Sequence, residues 1–207
     1  MRISVIMAVN LGYYDVGFTH SASDPTIRFR HAVESFRKQH FKDAELLIVS
    51  DGCKVSEAIY YDSYFGDPSM RFRYIDKQEV FSGVPRNTGL LMAKGDIICY
   101  LDHDDAFGPN HLQIINDNFD TEKNDWVWYN DYVVDTILAE KVERNVFPAL
   151  NVIGTSAIAH KRNVGVVWEG EYAHDWRMIE KCLLPLPGMK IPTPEYYVCH
   201  FRRIEDL

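Results

Sequence analysis

Short runs of β-branched and apolar residues alternate along the first half of the chain with stretches in which apolar positions recur every three or four residues. Residues 2 to 9, 44 to 50, 71 to 75 and 96 to 101 form the apolar runs, and the segments between them read as helices. This alternation predicts an α/β fold. The first helix is the best punctuated: Asp24 and Pro25 suit the cap and first helical position, and Phe29, Val33 and Phe36 fall on one inward stripe. Residues 10 to 23 before it form a long loop, a length that usually carries function or motion. After residue 120 the rhythm changes. WVWYNDYVVD (126–135) reads as one strand, residues 137 to 144 as its hairpin return, and a helix begins near Asp175 with Trp176, Ile179 and Leu183 as its buried stripe. No repeat, low-complexity tract or Gly/Ser-rich linker divides the chain, so residues 1–207 are expected to form one domain with two halves, about 1–105 and 106–207.

Composition narrows the class. The 207 residues are 46% hydrophobic and 13% aromatic, enough for a sizeable core. A net charge of −8, from 22 basic and 30 acidic residues, gives no general attraction to nucleic acid or anionic lipid. Cys53, Cys99, Cys182 and Cys199 lack CxxC spacing and mostly sit in apolar runs, so they read as reduced core thiols in a reducing, cytoplasmic compartment. The opening RISVIMAVN is too short and too β-branched for a signal peptide, and no segment reaches membrane-spanning length.

The chemistry concentrates where strands end. LLIVSD ends at Asp51 before Gly52, and IICYLD ends at Asp102, so two strands carry acids to the sheet edge where open α/β folds bind ligands. Asp102, His103, Asp104 and Asp105 follow one another, and like charges that close repel and resist burial. If strand geometry persists for one more step, Asp102 and Asp104 leave the same face and can share a hard divalent ion, Mn²⁺ or Mg²⁺, with a substrate diphosphate. The plainer alternative is an acidic turn in which Asp104 or Asp105 caps the next helix, with Pro109 in its first turn.

The segment VPRNTGLLMAKGDIICYLDHDD (84–105) resembles family 2 glycosyltransferases of the GT-A fold, in which an Ala/Pro-Arg-Asn-x-Gly helix, an Ala-x-Gly-Asp/Glu turn and a strand lead into Leu-Asp-x-Asp-Asp. RISVIMAVN resembles the family's first strand, IVSDGC its Val-Asp-Asp-Gly-Ser segment, WEGEYAHDWRMIEKC its Glu-Asp-Trp helix, and YYVCHFR its closing strand with histidine. The five pieces occur in the family's order over nearly the whole chain. A fainter likeness to a glycosyltransferase domain of a multidomain enzyme of large DNA viruses has no motif of its own.

The resemblance implies a Rossmann-like mixed sheet flanked by helices, a nucleotide-sugar-binding first half and an acceptor-binding second half. It places Asp51 on the uracil ring, Arg86 near the nucleotide and diphosphate, and Asp102 on the ribose. Asp104 is then the principal metal ligand and His200 the second, on the same Mn²⁺ or Mg²⁺. Ala8, Asn10 and His103 complete the donor contacts. Two departures stand out: Ala8-Val9-Asn10 replaces the usual Pro-Thr-Tyr-Asn, leaving Tyr13, Tyr14 and Phe18 as an alternative stack for the base, and His174 replaces the usual glutamate before Asp175. Asp175 is the implied general base of an inverting transfer, taking the proton of an acceptor hydroxyl while the metal steadies the leaving diphosphate.

The resemblance implies a UDP-sugar donor, with UDP-glucose and a UDP-deoxyhexose such as UDP-rhamnose equally open, and a glycan or glycoprotein acceptor. Two other classes compete. A nucleotidyltransferase would need a cationic glycine-rich loop after the first strand, which VNLGYYDVGF lacks, and a phosphoesterase more His and Asp ligands than the sequence offers in recognisable spacing. A non-catalytic sugar-nucleotide or glycan-binding module of a longer polypeptide, consistent with a chain that stops at IEDL, would have no use for Asp175.

Overall fold

The computed structural model describes residues 1–12, 24–78, 82–135, 140–171 and 173–199. Strands β1 (Ile3–Val9), β2 (Ala44–Asp51), β3 (Met70–Ile75) and β4 (Ile97–Tyr100) alternate with helices α1 (Pro25–Arg37), α2 (Lys54–Ser63) and α3 (Gly83–Met92), as the hydrophobic pattern predicts. The first helix starts where its sequence says: Asp24 accepts a hydrogen bond from the Thr26 backbone N–H at 2.8 Å, and Phe29, Val33 and Phe36 are buried.

The second half adds β5 (Ala106–Phe107), α4 (His111–Asn118), β6 (Trp126–Trp128), β7 (Asp131–Asp135), β8 (Glu140–Arg144) and β9 (Ile158–Lys161). It closes with α5 (His174–Met178), β10 (Gly188–Lys190) and β11 (Tyr196–Val198). The larger sheet runs β10-β6-β9-β4-β1-β2-β3; β9 is antiparallel to both its neighbours and the other pairings are parallel. The smaller sheet runs β5-β11-β7-β8. This is the mixed, helix-flanked sheet of the GT-A fold.

Topology decides where a ligand can sit. The chain builds β2 and β3 on one side of β1 and then crosses through α3 to β4 on its other side. That reversal opens a crevice at the carboxyl ends of β1, β2 and β4. Register fixes who meets there: Val9 lies opposite Ser50, which brings Asn10 beside Asp51, and the Leu101 N–H donates to the Ile6 carbonyl at 3.1 Å, extending β4 to Asp102.

Three sequence expectations are corrected. WVWYNDYVVD is two strands in two sheets, because the Tyr129 N–H turns to the Ala157 carbonyl and the Asn130 side chain accepts from the Val146 N–H. The hairpin return, β8, covers 140–144 among the described residues. Neither Asp104 nor Asp105 caps a helix: α4 starts at His111 behind Asn110, with Pro109 outside it. The stripe behind Asp175 also changes pitch, since α5 passes at Ile179–Leu183 into a π-helical turn that buries Ile179 and Leu183 and leaves Trp176 partly exposed.

Two imidazoles are sealed in the core. His111 stacks on Phe107 at 3.9 Å with neither ring nitrogen hydrogen-bonded, and burial pushes its pKa down to about 3. His160 is held at about 4 by burial, partly offset by its bond to the Lys161 carbonyl; its Nδ1 donates to that carbonyl and its Nε2 accepts from the Tyr100 hydroxyl at 2.8 Å. The unfolded chain takes up both protons near pH 6.5 while the folded chain refuses them, so stability is full above about pH 6.5 and falls as pH drops toward 4. At pH 5.5 each imidazole costs about 1.4 kcal/mol. The melting temperature of His111→Phe should therefore depend less on acid between pH 7.5 and 5.5 than that of the unaltered protein, by the share of one imidazole; an equal pH dependence of the two would refute the neutral, buried state of His111.

Candidate active site

The crevice forms a cavity of about 290 Å³ lined by Ala8, Val9, Asn10, Asp51, Ser82, Pro85, Arg86, Asp102, His103, Asp104, His174 and Asp175. Every site residue expected from sequence is therefore in its wall, except His200, which lies outside the described residues, as do Tyr13, Tyr14 and Phe18.

Asp51 reaches the cavity because Gly52 turns the chain with φ +64°, a conformation L side chains rarely adopt, and packs against Lys77 where a Cβ would collide. One Asp51 oxygen accepts from the Gln78 N–H at 2.7 Å; burial pushes its pKa up, against the pull of that bond and of Lys77.

Arg86 is the centre of the site's charge. It sits on the inner face of α3, its side chain 6% exposed, with its guanidinium 4.7 Å from the Trp168 ring. Nη2 donates to Asp102 Oδ1 at 3.0 Å, and Nη1 faces Asp175 Oδ1 at 3.4 Å and His174 Nε2 at 2.6 Å. Burial opposes the guanidinium charge, yet Asp102 and then Asp175 outweigh it and hold its pKa above the ordinary value. Asn87 fixes the platform by bonding both the N–H and the carbonyl of Trp168. The ring's own N–H donates to the Tyr100 hydroxyl, which in turn donates to His160.

Asp175 opens α5 and keeps 32% of its side chain in solvent. Burial raises the cost of its charge, but His174, Arg86 and the Thr155 backbone N–H outweigh it and hold the carboxyl below the usual range. A Cβ on Gly154 would come within 3.3 Å of Asp175 Oδ2, so glycine there leaves that oxygen its space. Asp102 also accepts from the Thr155 hydroxyl at 3.2 Å, which ties its second oxygen.

The third acid of the run has a role the sequence does not reveal. Asp105 turns away from the cavity, is buried, and accepts from the Tyr196 hydroxyl and the Cys199 N–H, both at 2.9 Å. The Tyr196 hydroxyl also accepts from the Asp102 N–H. Burial, then the charges of Asp104 and Asp102, push the Asp105 carboxyl well up, against those two bonds. Asp105 thus fastens the acidic turn to the end of β11. No local signal marks it, because its partners lie about ninety residues downstream.

Among the described residues no three His, Cys, Asp or Glu side chains converge as a ready metal cluster. The donor set nonetheless fits a hard divalent ion: the Asp104 carboxylate is 38% exposed and faces the cavity beside Asp102 and His103, and such ions need only one or two carboxylates when substrate phosphates supply the rest. All four cysteines are unpaired, and burial raises the Cys99 thiol.

A crevice at the reversal point of a mixed, helix-flanked sheet, with acids delivered by the ends of β2 and β4, defines a GT-A class of protein. Residues 28–165 match the model of glycosyl transferase family 2, and the chain belongs to that family. It is 34% identical over 87 residues to an uncharacterized glycosyltransferase of Rickettsia bellii, covering 41% of this chain and 12% of that protein. It is 30% identical over 84 residues to the putative glycosyltransferase EpsH of Bacillus subtilis, covering 41% of this chain and 24% of that protein. The chain thus spans a quarter or less of the curated relatives named here. In fold it is similar to Staphylococcus aureus TarS 1-349 in complex with UDP-GlcNAc (TM-score 0.74, 16% identity, 98% of this chain and 59% of that one). It is also similar to the mannosyltransferase PcManGT of Pyrobaculum calidifontis in complex with GDP-Man and Mn²⁺ (TM-score 0.64, 14% identity, 95% and 56%).

Proposed function

We propose that the chain moves a sugar from a UDP-sugar, such as UDP-glucose or a UDP-deoxyhexose, to a hydroxyl of a glycan or glycoprotein acceptor, with inversion at the anomeric carbon. One observation carries the reading: His174 and Asp175 line both the donor crevice and a second cavity of about 320 Å³, whose wall includes Arg144, Leu150, Asn151, Gly154 and Trp176. A carboxylate between two cavities is placed to take a proton from a hydroxyl in one while the sugar is held in the other.

In this reading about residues 1–105 supply most of the donor wall and residues 106–207 the acceptor side. Asp51 accepts from the uracil N–H, with Ala8 and Asn10 beside it. Asp102, fixed by Arg86 and Thr155, accepts from the ribose, and His103 lies alongside. Arg86, with its donors committed to Asp102 and Asp175, acts by holding two acids in place as much as by touching the nucleotide. Asp104, with His200, would hold a Mn²⁺ or Mg²⁺ ion. When bound, that ion neutralises the charge developing on the departing diphosphate. The UDP-GlcNAc, GDP-Man and Mn²⁺ held by the solved relatives support a nucleotide-sugar donor and a divalent ion.

Titration calorimetry with UDP tests this. UDP should bind at least about tenfold tighter, a difference of about 1.4 kcal/mol, with Mn²⁺ than with chelator, and Asp104→Ala should erase the difference. Equal affinity with and without metal in the unaltered protein would overturn the metal assignment.

A further inference from the structure

The donor crevice is too acidic to hold a diphosphate with one ion alone. Asp51, Asp102, Asp104 and Asp175 share its wall with Arg86, which pairs with Asp102 and Asp175 alone of the four, and Lys77 acts on Asp51. A divalent ion cancels two of the remaining charges before the donor brings its own. Further positive charge has to stand near Asp104, where that ion would sit.

Arg28 supplies it. It lies in the first turn of α1 and meets the acidic turn at Asp104, whereas Arg86 meets it at Asp102. Its side chain is 13% exposed, and its Nη1 stands 3.8 Å from Asp104 Oδ2. Its charge also reaches the Cys199 thiol at the end of β11, lowering a pKa that burial and the nearby acids push up to about 12. Two arginines therefore touch the acidic turn, and their contacts differ. Arg86 makes a 3.0 Å hydrogen bond to Asp102, whereas Arg28 meets Asp104 at 3.8 Å, a charge contact too long for a hydrogen bond.

We propose that Arg28 is a second cation for the donor's diphosphate, pairing with Asp104 before the nucleotide arrives and turning its guanidinium to the phosphate oxygens when the nucleotide binds. This rests on the reading of the crevice as a nucleoside-diphosphate site. Guanidinium suits this role because its planar fork meets phosphate oxygens through two parallel N–H bonds, and a largely covered position strengthens each. The motion required is short, because a diphosphate held at an ion on Asp104 lies within reach of a group already in contact with that carboxylate.

The test compares UDP with uridine, which shares the base and ribose but has no phosphate, by titration calorimetry on the full chain, with Mn²⁺ and with chelator. Arg28→Gln should weaken UDP binding by about ten- to a hundredfold, leave uridine binding unchanged, and show its loss in chelator too. Arg28→Lys, which keeps charge but not the fork, should recover part of it. Unchanged or tighter UDP binding by Arg28→Gln would overturn the proposal, leaving Arg28 a counter-charge that merely fills the ion's place. So would a loss of uridine affinity in step with UDP, which marks a structural role. Absence of UDP binding by the unaltered protein would overturn the nucleotide reading itself and this proposal with it, an outcome distinct from failure of the variant alone.

Discussion

Asp175→Asn should lower the rate of sugar transfer by about 10²–10⁴ and leave UDP affinity nearly unchanged. Asparagine preserves the shape and keeps one carbonyl oxygen that can still accept from Arg86, so part of the local bonding at the start of α5 survives. What it lacks is a basic oxygen for the acceptor's proton. The competing explanation is that Asp175 only complements the start of α5. That explanation predicts a stability loss of roughly 0.5–2 kcal/mol on replacement by alanine, little loss with asparagine, and ordinary turnover. Transfer rate, UDP affinity and melting temperature of the asparagine variant, measured together, separate the two. Ordinary transfer by a stably folded variant would remove Asp175 from the chemistry and favour a sugar-nucleotide-binding module.

The residues that are readable from sequence are those whose determinants are local. The strands β1 to β4 announce themselves because each is a short β-branched run between helical stretches, and Asp24-Pro25 starts α1 through bonds spanning two residues. Asp51, Asp102 and Asp104 stand at strand ends, and a parallel sheet has to bring such ends together at its reversal point. The misread features depend on distant partners. Asp105 looks like its neighbours until Tyr196 and Cys199 draw it inward. Tyr129 and Asn130 look like strand until the Ala157 carbonyl and the Val146 N–H pull them out of it. Trp168 is buried, and its face carries the Arg86 guanidinium, a pairing between positions more than eighty residues apart that no local pattern shows. Arg28 gives no local signal either, since an arginine in a first helical turn is ordinary until the fold sets Asp104 beside it.

Arg86→Met tests the charge arrangement on which the whole site depends. Methionine covers a similar part of the Trp168 face but leaves Asp102 and Asp175 with no common counter-ion. Breaking a covered ion pair by removing one partner costs about 3–5 kcal/mol. The lower end applies here, because the two carboxylates keep 34% and 32% of their side chains in water and rehydrate in part. For a chain of this size that loss lowers the melting temperature by roughly 6–12 °C. Pairing the variant with Asp102→Asn should recover some of it, since one unmatched charge is then gone, and the recovery measures the Arg86–Asp102 coupling directly. Residual transfer carries a second signature. Arg86 is one of the groups that hold the Asp175 carboxyl below its ordinary range, so without it that pKa rises. If Asp175 must be ionised to take a proton, the acid limb of the rate profile moves to higher pH in Arg86→Met. A melting temperature within a degree or two of the unaltered protein would show that Arg86 does not balance these acids, and an unmoved acid limb would show that it does not tune the base.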